Sequence, residues 1–346
     1  MKPFTSILKT AALTAFALVA TGVTTTAQPS FEKPTSREVV ESLDVRRGQY
    51  LDRVREMQDH RIGLYRAENF TKIDNSAMAI LLMRGEEIEA CNNRVLELMQ
   101  EPGTGPFWMF PTTMVAYAGR DKLSTEAQEA IREAWRTTRQ LRGDTENHWV
   151  MYHTSMYLMA QLYPDEPGSE WWNGLSSSEN LEEGKGWLLD WMDISTTIGQ
   201  GEYNPTHYIG EYAIPLLMLS VWAEDPAMRQ RSGMLLDWLF AELATVTLDG
   251  MMRGPNSRTD DTSVVERWYA LANYFSWQLF GNIPAGEGFR GWGWGNYFSV
   301  LAEYYTVPEV IYRIAVDRRA DILQRDRARS RRIWRYGDEH MRPIYK

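Results

Sequence analysis

One cysteine in 346 residues excludes an intrachain disulfide and leaves no thiolate cluster for a metal. Cys91 lies in a helical pattern and reads as a small buried hydrophobe. Histidine is scarce too, with five in the chain. His148 and His153 share the stretch "GDTENHWVMYHTS", but a spacing of five turns a helix by about 500°, so the two rings leave on different faces. The helical zinc signature needs a spacing of four, so no metal is expected, and no cofactor either. Basic charge is outnumbered, 37 Lys and Arg against 46 Asp and Glu, for a net charge of -9. Such a balance does not suit nucleic acid, and an anionic ligand would need a local cationic pocket. Alternating runs bounded by turn signals are missing as well, which argues against a sheet.

What is present begins with a leader pattern. Lys2 and Lys9 precede an uncharged run from Thr10 to Ala27 ending in small residues, the arrangement of a secretory signal over 1–27. The expectation is a secreted or periplasmic protein of one domain over 28–346, with no membrane attachment beyond the signal. Oligomeric state is not readable. The full sequence is 44% hydrophobic, enough for a sizeable core, and carries 14 Trp and 17 Tyr. Aromatic faces this numerous fill a core and also suit sugar rings.

Helical patterning runs almost throughout. Thr35 and Glu38 form a capping-box pattern opening a helix through about Gln58, and Asn75 precedes one over about 76–99. Ser124 or Thr125 caps the next, which ends before Gly143. Further runs cover about 146–162, 181–198, 207–223, 226–246, 263–280 and 297–328. "GWLLDWM" at 186–192 returns as "GMLLDWLF" at 233–240, an offset of 47 residues that accommodates two helices and two loops. The fold class expected is all-α: stacked helical hairpins, about six to seven of them, closing into an α/α toroid.

Four clusters could carry chemistry. Glu146, Asn147 and His148 stand at a helix entry. "GQGEYNPTHYIGEY", 199–212, crowds Glu202, Tyr203, His207 and Tyr208 at another entry, where Pro205 can start the helix. "MMRGPNSRTDD", 251–261, offers Arg253 and Arg258, which can fork onto a carboxylate or pair with Asp260 and Asp261. "FRGWGWGNYF", 289–298, alternates Trp292 and Trp294 with glycine and reads as a wall for sugar stacking. The basic C-terminal stretch is explained by helix ion pairs on a solvated face.

In that order, "TENHWVMYHTSMYLMAQL", the run from "GEYNPTHYIGEY" through "LLDWLFAELA", and "GMMRGPNSR" resemble secreted bacterial α/α-toroid polysaccharide lyases, closest to polysaccharide lyase family 38, the glucuronan and alginate lyases. The resemblance covers roughly residues 140–300. It implies β-elimination on a uronate-containing polysaccharide as partner and substrate. Asn147 and His148 would then neutralise the sugar carboxylate, and His207 or Tyr208 would be the base. Tyr203 would be a further acid candidate, and Arg253 and Arg258 would hold carboxylates. Glu146, Trp149, Glu202 and the two loop tryptophans would complete the substrate contacts. The chain departs from the family pattern after the second arginine, where Thr259 and Asp260 stand in place of a tyrosine. Two other readings compete. A glycoside hydrolase would pair Glu146 with Glu202 or Glu211, and a noncatalytic secreted glycan-binding protein would need only the aromatic wall.

Overall fold

Side-chain caps set most helix starts. In the computed structural model, which describes residues 37–266, 268–282, 294–319 and 322–329, Ser42 accepts from Val45 N to open α1 (Leu43–Glu68). Asp74 does the same for α2 (Asn75–Arg84), Ser124 for α5 (Thr125–Thr137) and Thr145 for α6 (Glu146–Leu162). Ser176 and Glu179 form a reciprocal capping box at α7 (Ser177–Ile198), and Asp225 followed by Pro226 opens α9 (Pro226–Val246). The other helices are α3 (Ile88–Leu98), α4 (Pro106–Ala118), α8 (Gly210–Trp222), α10 (Asp261–Val265), α11 (Leu271–Phe275), α12 (Trp294–Leu301) and α13 (Glu309–Val316). Thirteen α-helices thus make up a helical domain among the described residues. None is long and apolar enough to cross a membrane.

Several boundaries differ from expectation for local reasons. The first helix starts at Leu43 because Ser42 caps it, while Thr35 lies outside the described residues. The run over 76–99 is broken at Gly85, whose φ of 73° closes α2 in the left-handed conformation. Helix α4 was not expected, because Pro111 stands within it. The run over 263–280 divides into α10, α11 and a π-helical turn, Ser276–Phe280. The run over 297–328 stops twice: Pro308 precedes α13, and residues 322–329 are irregular rather than helical. A small antiparallel ribbon, β1 (Thr247–Leu248) with β2 (Met251–Met252), turns through Asp249 and Gly250, both at positive φ (50° and 75°). The leader, Trp292 and the basic stretch beyond residue 329 lie outside the described residues.

Two kinds of helix make the packing. In α4, α8 and α12 nearly every residue is buried, and α2 and α6 are buried over most of their length. Helices that are apolar all round belong inside a fold. By contrast α1, α5, α7 and α9 each keep an exposed polar face. The buried set packs in a cyclic order: α2 on α4, α4 on α6, α6 on α8, α8 on α12, and α12 back on α2. Outside it, α7 lies on α6, α9 on α8, α13 on α9, and α1 on both α2 and α12. The repeated heptapeptide thus falls on α7 and α9, two helices that cover consecutive members of the buried set. This arrangement brings the start of α6, the ends of α7 and α9 and the start of α8 to one place.

Candidate active site

Glu202 is the centre of that place. Its carboxylate accepts from the Asn147 amide (2.6 Å), the Asn147 backbone N–H (3.2 Å), the Tyr212 hydroxyl (2.9 Å) and the Arg258 guanidinium (2.8 Å). Its own backbone N–H donates to Glu146 Oε2 at 2.7 Å. Glu146 in turn accepts from the Trp191 indole at 2.9 Å and pairs with Arg329. Both carboxylates are about fully buried, at 0% and 1% exposure. Burying carboxylates is costly unless each is compensated, and here each has a guanidinium and further donors. Stacked rings hold two of those donors: Trp187 lies on Trp191 at 7° and Trp191 on Tyr212 at 23°, with His153 stacked on the far side of the column.

His207 stands on the same loop with a defined tautomer. Asp260 caps α10 and accepts the Ser263 hydroxyl proton at 2.7 Å. That hydroxyl has one proton to give, so at 2.7 Å His207 Nε2 donates to it and the ring's lone pair sits on Nδ1. Burial depresses the imidazole below its usual range, with Asp260 pulling the other way. A neutral, oriented imidazole suits a general base, but the residue is 5% exposed and Nδ1 itself is buried, so the ring meets a substrate proton only if the surrounding loops open toward it. The 203–208 and 257–263 loops are stitched together: Ser257 donates to Tyr203 O at 2.8 Å from its backbone, and Thr206 meets Thr259 at 3.3 Å. Asn204 and Arg258 in these loops have positive φ, 42° and 55°. Strain of that kind in non-glycine residues persists only where the surroundings impose it.

The remaining expected residues are distributed unevenly. Asn147 is wholly buried, so its amide touches Glu202 and not open space. His148 is partly exposed on the next position, edge-on to the exposed ring of Phe107 at 5.1 Å. Phe107 also meets Trp294 at 5.9 Å, which makes a short aromatic row beside His148. Trp149 has no exposed face; its indole donates to Gly143 O and lies under the Arg142 guanidinium. Tyr203 points away and donates to Asp326 at 2.8 Å; burial, with Asp326, holds its proton well beyond the usual phenol range. Tyr208 carries Arg258 over its ring at 4.7 Å. Arg253 is exposed and donates to Val264 O at 2.6 Å, so the two loop arginines separate. Glu211, in the first turn of α8, is wholly buried; desolvation above all, then the charge on Glu202, pushes it up to about 8. Among the described residues no group of three or more His, Cys, Asp and Glu is placed to hold a metal ion.

Trp191, Tyr212, Ser263, Phe107 and Arg329 were not singled out from the sequence, and Asp260, expected as a partner for the loop arginines, instead caps α10 and accepts from Ser263. Asp260 with Ser263 three residues on is a legible capping pair, and that signal could have led to His207's partner. Nothing local in the sequence ties Arg329 to Glu146, 183 positions away. Compared with known protein families, curated proteins and solved structures, the chain finds no match, so the residues themselves carry the assignment.

Proposed function

We propose that the chain is a secreted or periplasmic polysaccharide lyase that cleaves uronate-containing glycans by β-elimination, and that the cyclic packing of α2, α4, α6, α8 and α12 is the inner wall of an α/α toroid. The observation that carries the reading is His207, a neutral imidazole whose donor nitrogen is committed to Ser263, on a loop stitched to that of Arg258 and Tyr208. In the reaction the sugar carboxylate meets Arg258, the more exposed cation of the site. His207 Nδ1 takes the C5 proton, the released electron pair forms the C4–C5 double bond, and the C4–O4 bond breaks. Tyr208 returns a proton to O4. Charge developing on the carboxylate is stabilised electrostatically by Arg258, which Glu202 and Asn147 hold in place. The Phe107–Trp294 row supplies apolar faces for neighbouring sugar rings.

Glu211 favours a second reading. A buried carboxyl that keeps its proton near neutrality is a general acid for glycoside hydrolysis, with Glu202 as the other carboxylate. One assay separates the two: absorbance near the unsaturated-uronate band, on the order of 235 nm, with glucuronan, alginate and other uronate polymers. The expected result is a rise that Arg258→Ala and Asn147→Ala each diminish. New reducing ends on a glycan without that absorbance would replace the lyase with the hydrolase, and binding without cleavage would leave a glycan-binding protein.

A further inference from the structure

Residues 322–329 lie across the ends of α7 and α9, beside the loop that carries Glu202. Ala328 bridges Gln200 in parallel, and Arg329 N donates to Gln200 O at 3.2 Å. Arg327 donates to Thr197 O at 3.0 Å and Asp326 receives the Tyr203 hydroxyl. The segment is mostly exposed, yet the Arg329 side chain, 6% exposed, runs inward to Glu146. The site therefore contains two linked carboxylates with one guanidinium each: Arg258 from the adjoining loop on Glu202, and Arg329 from the far end of the described chain on Glu146. A segment of this kind could be a plug that leaves when substrate arrives. Its departure, however, would strip a buried carboxylate of its counter-ion, and an uncompensated buried charge is among the most destabilising features a fold can carry.

We infer that Arg329 is a positioning residue of the site, an inference that rests on the lyase reading. It fixes Glu146, whose Oε2 orients the Glu202 backbone, and Glu202 in turn orients Arg258 and Asn147. The segment is accordingly a permanent part of the active fold.

Two full-length variants test it. Arg329→Ala removes the guanidinium. Gly199→Ala leaves it in place but puts a β-carbon into the Arg327 carbonyl, at a backbone φ of 92° that disfavours alanine, and so displaces the segment. Both are expected to lower kcat about 100-fold with KM little changed. Millimolar guanidinium restores part of the Arg329→Ala activity, which a general loss of folding would not allow. Unchanged or increased turnover in either variant overturns the inference, and an increase makes the segment a plug. If the wild-type protein forms no unsaturated product at all, the lyase reading fails separately. The pairing is then read from the Trp191 indole N–H resonance, since Trp191 donates to the same carboxylate oxygen as Arg329. A shift of that resonance in Arg329→Ala retains the positioning role, and an unmoved resonance removes it.

Discussion

His207→Ala is expected to lower kcat on a uronate polymer by about 10²–10⁴-fold, the contribution of a positioned general base. The ring's setting also fixes the form of the pH profile. Burial depresses the imidazole, so the base form is present from below the usual histidine range upward, and activity falls only as pH drops through that depressed value. Asp260 acts in the opposite direction, because its negative charge favours the imidazolium. Asp260→Asn therefore moves the acid limb of kcat/KM to still lower pH. Ser263→Ala removes the acceptor of Nε2–H and lets the other tautomer form, which lowers kcat without a comparable change in KM. Initial rates at 235 nm on the order of pH 4 to 9 measure all three. Retention of full activity by His207→Ala would move the base to Tyr208 and leave the Asp260–Ser263 pair as a helix cap alone.

Much of the helical architecture was legible, and the reasons are local. Helices α6 and α9 have the bounds that their periodicity predicts, and the structure shows why: Thr145 caps the first, and Asp225 followed by Pro226 opens the second. The two copies of the heptapeptide both fall on helices, α7 and α9, which pack on α6 and α8 respectively. Helix α4 was hidden by Pro111, whose cost within a helix is met here by tertiary burial, a term that no local pattern contains. The non-helical run at 322–329 was obscured by its composition: Arg, Gln, Ala and Leu are good helix material, yet this segment forms hydrogen bonds at the ends of α7 and α9.

At the site the residue types were legible and their partners were not. Asn147, Glu202, His207 and Arg258 could be named from the sequence because they stand at helix entries beside glycine and proline. What each of them touches is decided by contacts across 55 or 56 positions of chain, such as Asn147 with Glu202 and His207 with Ser263. Burial was equally invisible. Glu211 could be named from the sequence as a candidate hydrolase carboxylate, but only its burial on α8 makes it an acid that keeps its proton.

That buried acid, with a second one on α9, is expected to make the protein more stable in mild acid than in mild base. Desolvation pushes Glu211 up to about 8 and Glu242 up to about 9, in the latter case with help from Asp326 and against the Gln200 hydrogen bond. Both folded values lie above the ordinary carboxyl value of 4.5. The folded state then binds more protons than the unfolded chain between these limits, so stability declines as pH rises. The contribution is complete below the unfolded value, and it is lost as pH climbs through the folded ones. Each pH unit inside the window costs up to about 1.4 kcal/mol per carboxyl. On the acid side the trend reverses, because other carboxylates are stabilised in their charged form. Lys185 beside Asp225 and the arginines Arg132 and Arg136 beside Glu166 hold those groups below their usual range. Their contribution disappears as pH falls through the depressed values. Thermal unfolding followed on the order of pH 4 to 10 should therefore give a midpoint that peaks in the mildly acidic region and declines toward base. Glu211→Gln and Glu242→Gln keep the shape and remove the proton, so each flattens the alkaline decline and the pair nearly abolishes it. A midpoint that rises steadily from pH 5 to about 9 would mean that both carboxyls are ionised in the fold, and would remove Glu211 as an acid for either chemistry.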